Sequence, residues 1–465
     1  MDRAKETHGK PGLTDGPIVK SIILFALPLM LTNLFQQLYN SIDSAVVGKY
    51  AGEISLAAVG GTAALINLMI GFFLGIATGT GVLYAMHYGA EDWPGLKKIC
   101  DAALLLAFAA AVIISAFGII FAPALLRMID MPEEVLPEAT VYLRIYLIGN
   151  VPNLLYNVSA GMIRATGDSA RPLIYLAVSG FLNLLLDLLF VAWLRMGAAG
   201  AALATILAQL LSCILSVGRM MRMPEEYRFR PLRMRPDKTA IADVIRMSVP
   251  CGLQSAMFNI SNLIVQTKIN SFGYIAMAGV TAYTKLDGFV YMPMNALSLT
   301  VSTYVGQNVG AGRYERVRRG IRVCLAMSVG VSLCMAALVI LLFPRAILLF
   351  TGEEEAIGFA RSMMWFMSPW LWTFALSDIL GGSMRGAGAA TPVMIMSALC
   401  ICVFRIAWLM TALRILYDIR VVFLCYGLSW SLSSIVMTVY YLRFSALKRA
   451  IRAHMQTEGK AAVGV

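Results

Sequence analysis

Asn183 and Asp187 stand four residues apart in FLNLLLDLLF (181–190), a run otherwise made of leucine and phenylalanine. That spacing puts both on one face of a helix. A second set lies in TNLFQQLYNSID (32–43), where Gln36, Tyr39 or Asn40, and Asp43 fall along one helical stripe at spacings of three, four and seven. On insertion scales an aspartate facing lipid costs about 2.5–3.5 kcal/mol, so both stripes must face a cavity or each other. A carboxylate withdrawn from water holds a proton more firmly than one in solution. Two in one cavity are therefore poised to take up and release H⁺, or to hold Na⁺. The plainer role for each is a helix-to-helix hydrogen bond with no ion cycle.

The elements that carry these residues follow from composition. The chain has 465 residues, 59% hydrophobic and only 14% charged, with 28 methionines. A water-soluble core of this size needs no such excess, so the chain reads as an integral membrane protein. Its apolar blocks are mostly long enough for a helix to cross roughly 30 Å of hydrocarbon, whereas barrel strands would be shorter and alternating. Twelve spans are expected, near 18–44, 54–87, 100–123, 138–162, 171–194, 198–220, 242–270, 276–307, 321–343, 356–382, 392–413 and 419–442.

The formal charge of +12 does not point to nucleic acid, because the basic residues cluster at span ends. Arg3, Lys5, Lys10 and Lys20, Lys97 and Lys98, the run from Arg219 to Arg246, Arg313 to Arg322, and the tail from Arg443 to Lys460 all fall on one side; the opposite loops include MIDMPEEVLPE and TGEEEA. The positive-inside rule then places both termini in the cytoplasm of a multi-pass cell (inner) membrane protein. The expected layout is an N-terminal tail (1–17), an N-lobe of six spans (18–220), a basic inter-lobe loop (221–240), a C-lobe of six spans (241–443) and a C-terminal tail (444–465). A lipid-headgroup role for the basic loop is the lesser reading. The first apolar block is too long and begins too far in for a cleavable signal. The eight cysteines are scattered without CxxC, against disulfides and metal sites alike.

At a separation near 221 residues the chain matches itself. Pro28 pairs with Pro250, Val59 with Val280, YGAEDWPGLKK with VGAGRYERVRR, and GMIRATGDSARP with GSMRGAGAATP, in preserved order. Six spans plus six, an even number in each half, make a parallel repeat, the architecture of transporters that rock two bundles around a midplane site. A receptor or membrane enzyme has no comparable need for two halves. No P-loop, HExxH or GxSxG occurs, so an ion gradient rather than nucleotide is the expected fuel and no cofactor is required. The repeat is also an internal control: Asp187 maps to Ala407 or Trp408, and Asp43 to Ile264 or Val265. The second half folds without these acids, which favours a functional role for them in the first.

Other polar residues invite weaker readings. Pro28 interrupts span one and can serve as a gating bend or a static kink. In the second half Lys285, Asp287, Asp378 and Arg405 lie within spans; Lys285 and Asp287, two apart, do not share a helix face. Asp378 and Asp287 are second-lobe candidates, but for all four residues interhelical pairing or a wet cavity wall is the favoured reading. Arg164 and Arg385 open glycine-containing turns and are expected to anchor them. Methionines lining a cavity would suit varied ligands.

LPLMLTNLFQQLYNSIDSAVVGKYAG, LAAVG, YGAED, RATGDSARPLIYLAVSGFLNLLLDLLFV and GAAGAALATILAQ together resemble the multidrug and toxic compound extrusion (MATE) family over essentially the whole chain, with most similarity to its DinF-like branch. The resemblance implies a proton-coupling network on Gln36, Tyr39, Asp43, Asn183, Asp187 and Thr205, with Tyr142 as a further member. The NorM-like branch is associated with a glutamate in span seven, and CGLQSAMFNISNLIVQTKINSFG has no acid. A NorM-type C-lobe cation site is thus incomplete, although Asp378 can stand in for that branch's span-ten aspartate. H⁺ and Na⁺ both stay open, the latter at Asp43, Asp187 and Asn183. The implied protein is a monomeric all-α antiporter, not an enzyme, that exports small organic, often cationic, compounds from the cytoplasm. A lipid-linked saccharide flippase of the same broad superfamily is the alternative, disfavoured because the N-lobe charge is acidic where pyrophosphate would call for a cationic cavity.

Overall fold

With no water in the bilayer core, every backbone N–H and C=O must be satisfied within its own segment, and helices are how a single chain of apolar blocks achieves this. The structure, a computed structural model, describes residues 13–463 apart from Pro236, and side chains up to 454 apart from those of Asn40 and Ser44. The Asn40 side chain, Arg3, Lys5, Lys10, the side chain of Lys460 and most of the expected N-terminal tail lie outside the described residues.

Span one is α1 (Ile18–Tyr50), span two α2 (Glu53–Gly89), span three α3 (Trp93–Arg127) and span six α7 (Gly197–Met220). Span four is divided into α4 (Leu136–Ile148) and α5 (Asn150–Ala165) at Gly149, and span ten into α11 (Glu354–Met367) and α12 (Leu371–Gly386) by the 3₁₀ turn Ser368–Trp370. The two breaks coincide by the repeat. Span five is α6 (Ala170–Asp187) running into a π turn (Leu188–Trp193), and span eleven is α13 (Ala390–Ser397), a π turn (Ala398–Val403) and α14 (Phe404–Ile415). The remaining spans are α8 (Lys238–Asn270), α9 (Tyr274–Gly310), α10 (Tyr314–Ala346) and α15 (Ile419–Arg443). Eight of the twelve are by themselves long and apolar enough to cross a membrane; the others are the two divided spans and the polar α8 and α9.

Packing partitions the chain at different points from the span count. The N-bundle is Leu31–His87 with Asp92–Gly252, and the C-bundle comprises the described part of Met1–Met30, Tyr88–Glu91, and the described residues from Leu253 onward. The first thirteen residues of α1 thus pack with the C-bundle, where Ile22, Phe25 and Leu29 join Leu297, Val301 and Tyr304. The first half of α8 packs with the N-bundle, where Gly79 lies so close to it that an added Cβ would stand 2.6 Å from the Met247 carbonyl oxygen. Both divisions follow the intramembrane prolines Pro28 and Pro250 by two residues.

The basic loop and the C-terminal tail are more ordered than tails and linkers need be. In the loop Met223 and Phe229 are buried, Tyr227 stacks on Trp93 at 5.3 Å, and Asp237 pairs with Lys98 at 3.0 Å. The loop carboxylate Asp237 is held well below the usual carboxylate range, first by the Thr239 hydroxyl and next by Lys98. The tail forms α16 (Ala446–Val463), whose Leu447 and Ile451 enter the C-bundle core. Ile113, Ile120 and Leu341, by contrast, stand exposed, as on a surface that meets hydrocarbon.

Candidate functional site

Four helices of the N-bundle build the site, each supplying polar residues four apart. These are Tyr39 and Asp43 from α1, Tyr142 and Tyr146 from α4, Asn183 and Asp187 from α6, and Thr205 and Gln209 from α7. The Asn183 amide, oriented by its neighbours, donates to Asp187 Oδ2 at 2.9 Å, and its oxygen accepts from the Tyr39 hydroxyl at 3.2 Å and the Thr205 backbone N–H at 3.3 Å. Asp187 is fully buried, and Asn183, Thr205 and Tyr142 nearly so. Asp43 is half-buried, and its carboxyl group lies beside that of Asp187.

A hydrogen bond between two carboxyl groups needs a proton on one of them, since an ionised carboxylate only accepts. Asp43 Oδ1 and Asp187 Oδ1 accept no hydrogen bond among the described residues, and the same holds for Gln209 Oε1. Buried acceptors of this kind are rare and call for an explanation. The two aspartate oxygens, with unused lone pairs on neighbouring carboxyl groups, are acceptors that a proton or a small hard cation satisfies.

The sequence-predicted residues thus divide. Tyr39, Asp43, Asn183, Asp187 and Thr205 meet in one cluster, and Tyr142 lines it beside Tyr146, with ring centroids 6.1 Å apart. Gln36 is half-buried one turn earlier on α1 and makes no side-chain hydrogen bond among the described residues. Tyr146 and Gln209 were not singled out in the sequence. Their signal was available: each lies four residues after a predicted member, as Asp43 follows Tyr39 and Asp187 follows Asn183. The π turn begins directly after Asp187, and π turns within helices frequently mark functional sites.

Pro28, Asp287 and Asp378 belong to the C-bundle. Asp287 and Asp378 line a cavity of about 460 Å³ within that bundle, together with Arg405. Asp287 is buried and takes a long hydrogen bond from the Tyr283 hydroxyl at 3.5 Å, whereas Lys285 is exposed on another face. Asp378 lies 3.7 Å from Arg385. Arg385 is more than a turn anchor, since it also reaches Gln254 at 3.2 Å and Ser298 at 3.3 Å. The turns themselves rest on Gly167 (φ +94°) and Gly388 (φ +88°), conformations that glycine adopts without steric cost.

A sequence profile of the MatE family matches twice, at residues 28–189 and 250–410, once in each half of the internal repeat. The chain belongs to the MatE family. Its members are transporters rather than enzymes. A relative named "Probable multidrug resistance protein YpnP", from Bacillus subtilis, is 27% identical over 94% of this chain and 98% of its own length. A Shewanella oneidensis relative named "FAD transporter" is 25% identical over 69% of this chain and 71% of its own. In fold the chain is similar to the outward-facing structure of a multidrug resistance MATE family transporter (TM-score 0.86, 22% identity, covering 94% of this chain and 98% of that one).

Proposed function

We propose that this MatE-family protein is a secondary multidrug efflux transporter that exports small organic, often cationic, compounds in antiport with H⁺ or Na⁺ by alternating access. The observation that carries the reading is the contact between the Asp43 and Asp187 carboxyl groups, backed by Asn183 and Tyr39, in a buried cluster of the N-bundle. Relatives named multidrug resistance and multidrug export proteins support the substrate class, and the double family match supports two-lobe transport.

Two like charges in contact within a low-dielectric site repel strongly, so the pair changes its ion occupancy as a unit. An ion entering from outside neutralises the pair and lets α1 and α6 approach. Its departure to the cytoplasm separates them and opens the cluster to a substrate cation. Pro28, two residues before α1 passes from one bundle to the other, removes a helical hydrogen bond where that movement needs a bend. A membrane potential adds about 2.3 kcal/mol per net charge moved per 100 mV. A monomer suffices because both bundles lie on one chain, and the basic loops favour an inner-membrane orientation with cytoplasmic termini.

The test is uptake of ethidium into proteoliposomes under an imposed H⁺ or Na⁺ gradient, comparing wild type with Asp187→Asn. Uptake driven by one gradient and lost in the variant is the expected result and names the ion. Undiminished uptake by the variant would sink the coupling role of the pair.

A further inference from the structure

Arg405 is a buried cation whose charge no acid among the described residues answers. It is 2% exposed on α14, immediately after the π turn of span eleven. Its Nε donates to Ser429 at 2.8 Å and its Nη1 to Asn262 at 3.0 Å, both neutral groups. Its guanidinium stacks 4.5 Å from the centre of the Tyr426 ring. No carboxylate among the described residues lies within ion-pair distance of it, and its Nη2 makes no hydrogen bond among them. A guanidinium keeps its charge at any physiological pH, and one buried in a membrane protein without a counter-charge marks a binding site more often than a strut.

The surroundings say what would supply that counter-charge. Arg405 opens on the C-bundle cavity of about 460 Å³, a volume within the range that holds drug-sized ligands. Tyr291, Phe374, Tyr426 and Trp430 line the same cavity as one connected aromatic cluster, with Phe374 and Trp430 centroids 5.5 Å apart and Tyr291 edge-on to Phe374 at 5.2 Å. Asn262 and Ser429 fix the guanidinium by its other donors, so its remaining N–H groups are pre-oriented for a planar acceptor. Asp287 and Asp378 line the cavity too; Asp378 lies 3.7 Å from Arg385 and neither is paired with Arg405, which leaves Arg405 and Asp287 as a positive and a negative pole at separate places on one cavity wall.

The geometry points to a substrate subsite in the C-bundle for aromatic solutes that carry an acidic group, carboxylate or phosphate, held on Arg405. Solutes that also carry a cationic group for Asp287 fit it best. This deepens the proposed efflux reading, and rests on it, by adding a substrate-selecting subsite in the C-bundle to the N-bundle cluster at which ion and substrate cation alternate.

A matched dye pair tests the assignment. Rhodamine 110 and rhodamine 123 share one aromatic cation and differ only in a free carboxylate against its methyl ester. Their binding to the purified full-length protein in detergent is followed by fluorescence anisotropy. Wild type is expected to bind rhodamine 110 about tenfold more tightly, the scale of one charge-assisted hydrogen-bonded pair. Arg405→Gln should abolish that preference while leaving rhodamine 123 affinity within about twofold, and Arg405→Lys should restore part of it, because a point charge replaces a fork. Equal wild-type affinities, or weaker binding of the acid, overturn the subsite whatever the variants do. A preference that survives in folded Arg405→Gln overturns it as well. Gradient-driven flux of rhodamine 123 in proteoliposomes is read separately: carboxylate-selective binding without flux upholds the subsite and rejects the antiport reading.

Discussion

Spans five and eleven occupy equivalent places in the repeat, each carries a π turn, and each places one buried charge beside that turn. The charges are opposite. Asp187 immediately precedes the turn in the N-bundle, and Arg405 closely follows it in the C-bundle. Their partners differ as well: Asp187 meets a second carboxyl group, whereas Arg405 is held by neutral acceptors and a ring. The repeat supplies one frame twice, and the side chains at its two irregular turns put a carboxyl group in one copy and a guanidinium in the other. A polar helix position in one half therefore says little about the charge expected in the other.

The sharpest way to break this comparison is to neutralise the acids. Asp43→Asn and Asp187→Asn are expected to lower gradient-driven ethidium uptake at least tenfold, on the order of 1.4 kcal/mol or more of lost coupling, while rhodamine 110 binding at the C-bundle changes less than twofold. Parallel loss of both would mean that the two bundles do not divide the work. The next effect is structural. Gly79→Val drives a side chain into the α8 backbone at Met247 and Ser248, and overpacking of this kind costs about 1–3 kcal/mol. Gly288 has nothing within 4 Å of an added Cβ, so Gly288→Val should leave the thermal midpoint of the detergent-solubilised protein nearly unchanged while Gly79→Val lowers it. Similar midpoints would refute the close approach.

Smaller effects sharpen the picture. Tyr39→Phe removes the hydroxyl that donates to Asn183, a loss of about 0.5–1.5 kcal/mol, and should slow ion-driven uptake severalfold without touching dye binding. A change in dye affinity instead would place Tyr39 in substrate contact. Smallest is the pH response at the start of α8. Asp237, bonded to Thr239 and Lys98, titrates below the usual carboxylate range in the folded protein. Its contribution is therefore fully present at pH values above the ordinary carboxylate pKa and fades only as acid carries it through its lowered one. Thermal midpoints of wild type and Asp237→Asn should differ slightly near neutrality and converge in acid; divergence on acidification would reverse the assigned sign.

Much of the site was legible before any packing was known. Asn183 and Asp187 could be put on one face because helical periodicity is a property of sequence, and the cost of a carboxylate in lipid turned them inward. The same spacing rule applied one step further reaches Tyr146 and Gln209, each four residues after a predicted member. Arg405 was visible as an intramembrane arginine, but its bland reading as an interhelical tie was only half complete: the ties to Ser429 and Asn262 are there, and they orient a cation that they do not neutralise.

Length, apolar blocks and the self-match at about 221 residues determined the helices, their number and their pairing into two sixes, because backbone satisfaction in lipid leaves a chain of such blocks no other option. Tertiary structure alone decided that α1 and α8 change bundles two residues past their prolines, that Asp43 reaches Asp187, and that Arg405 looks into a cavity. Those outcomes depend on contacts between residues far apart in the chain, and no local spacing encodes them.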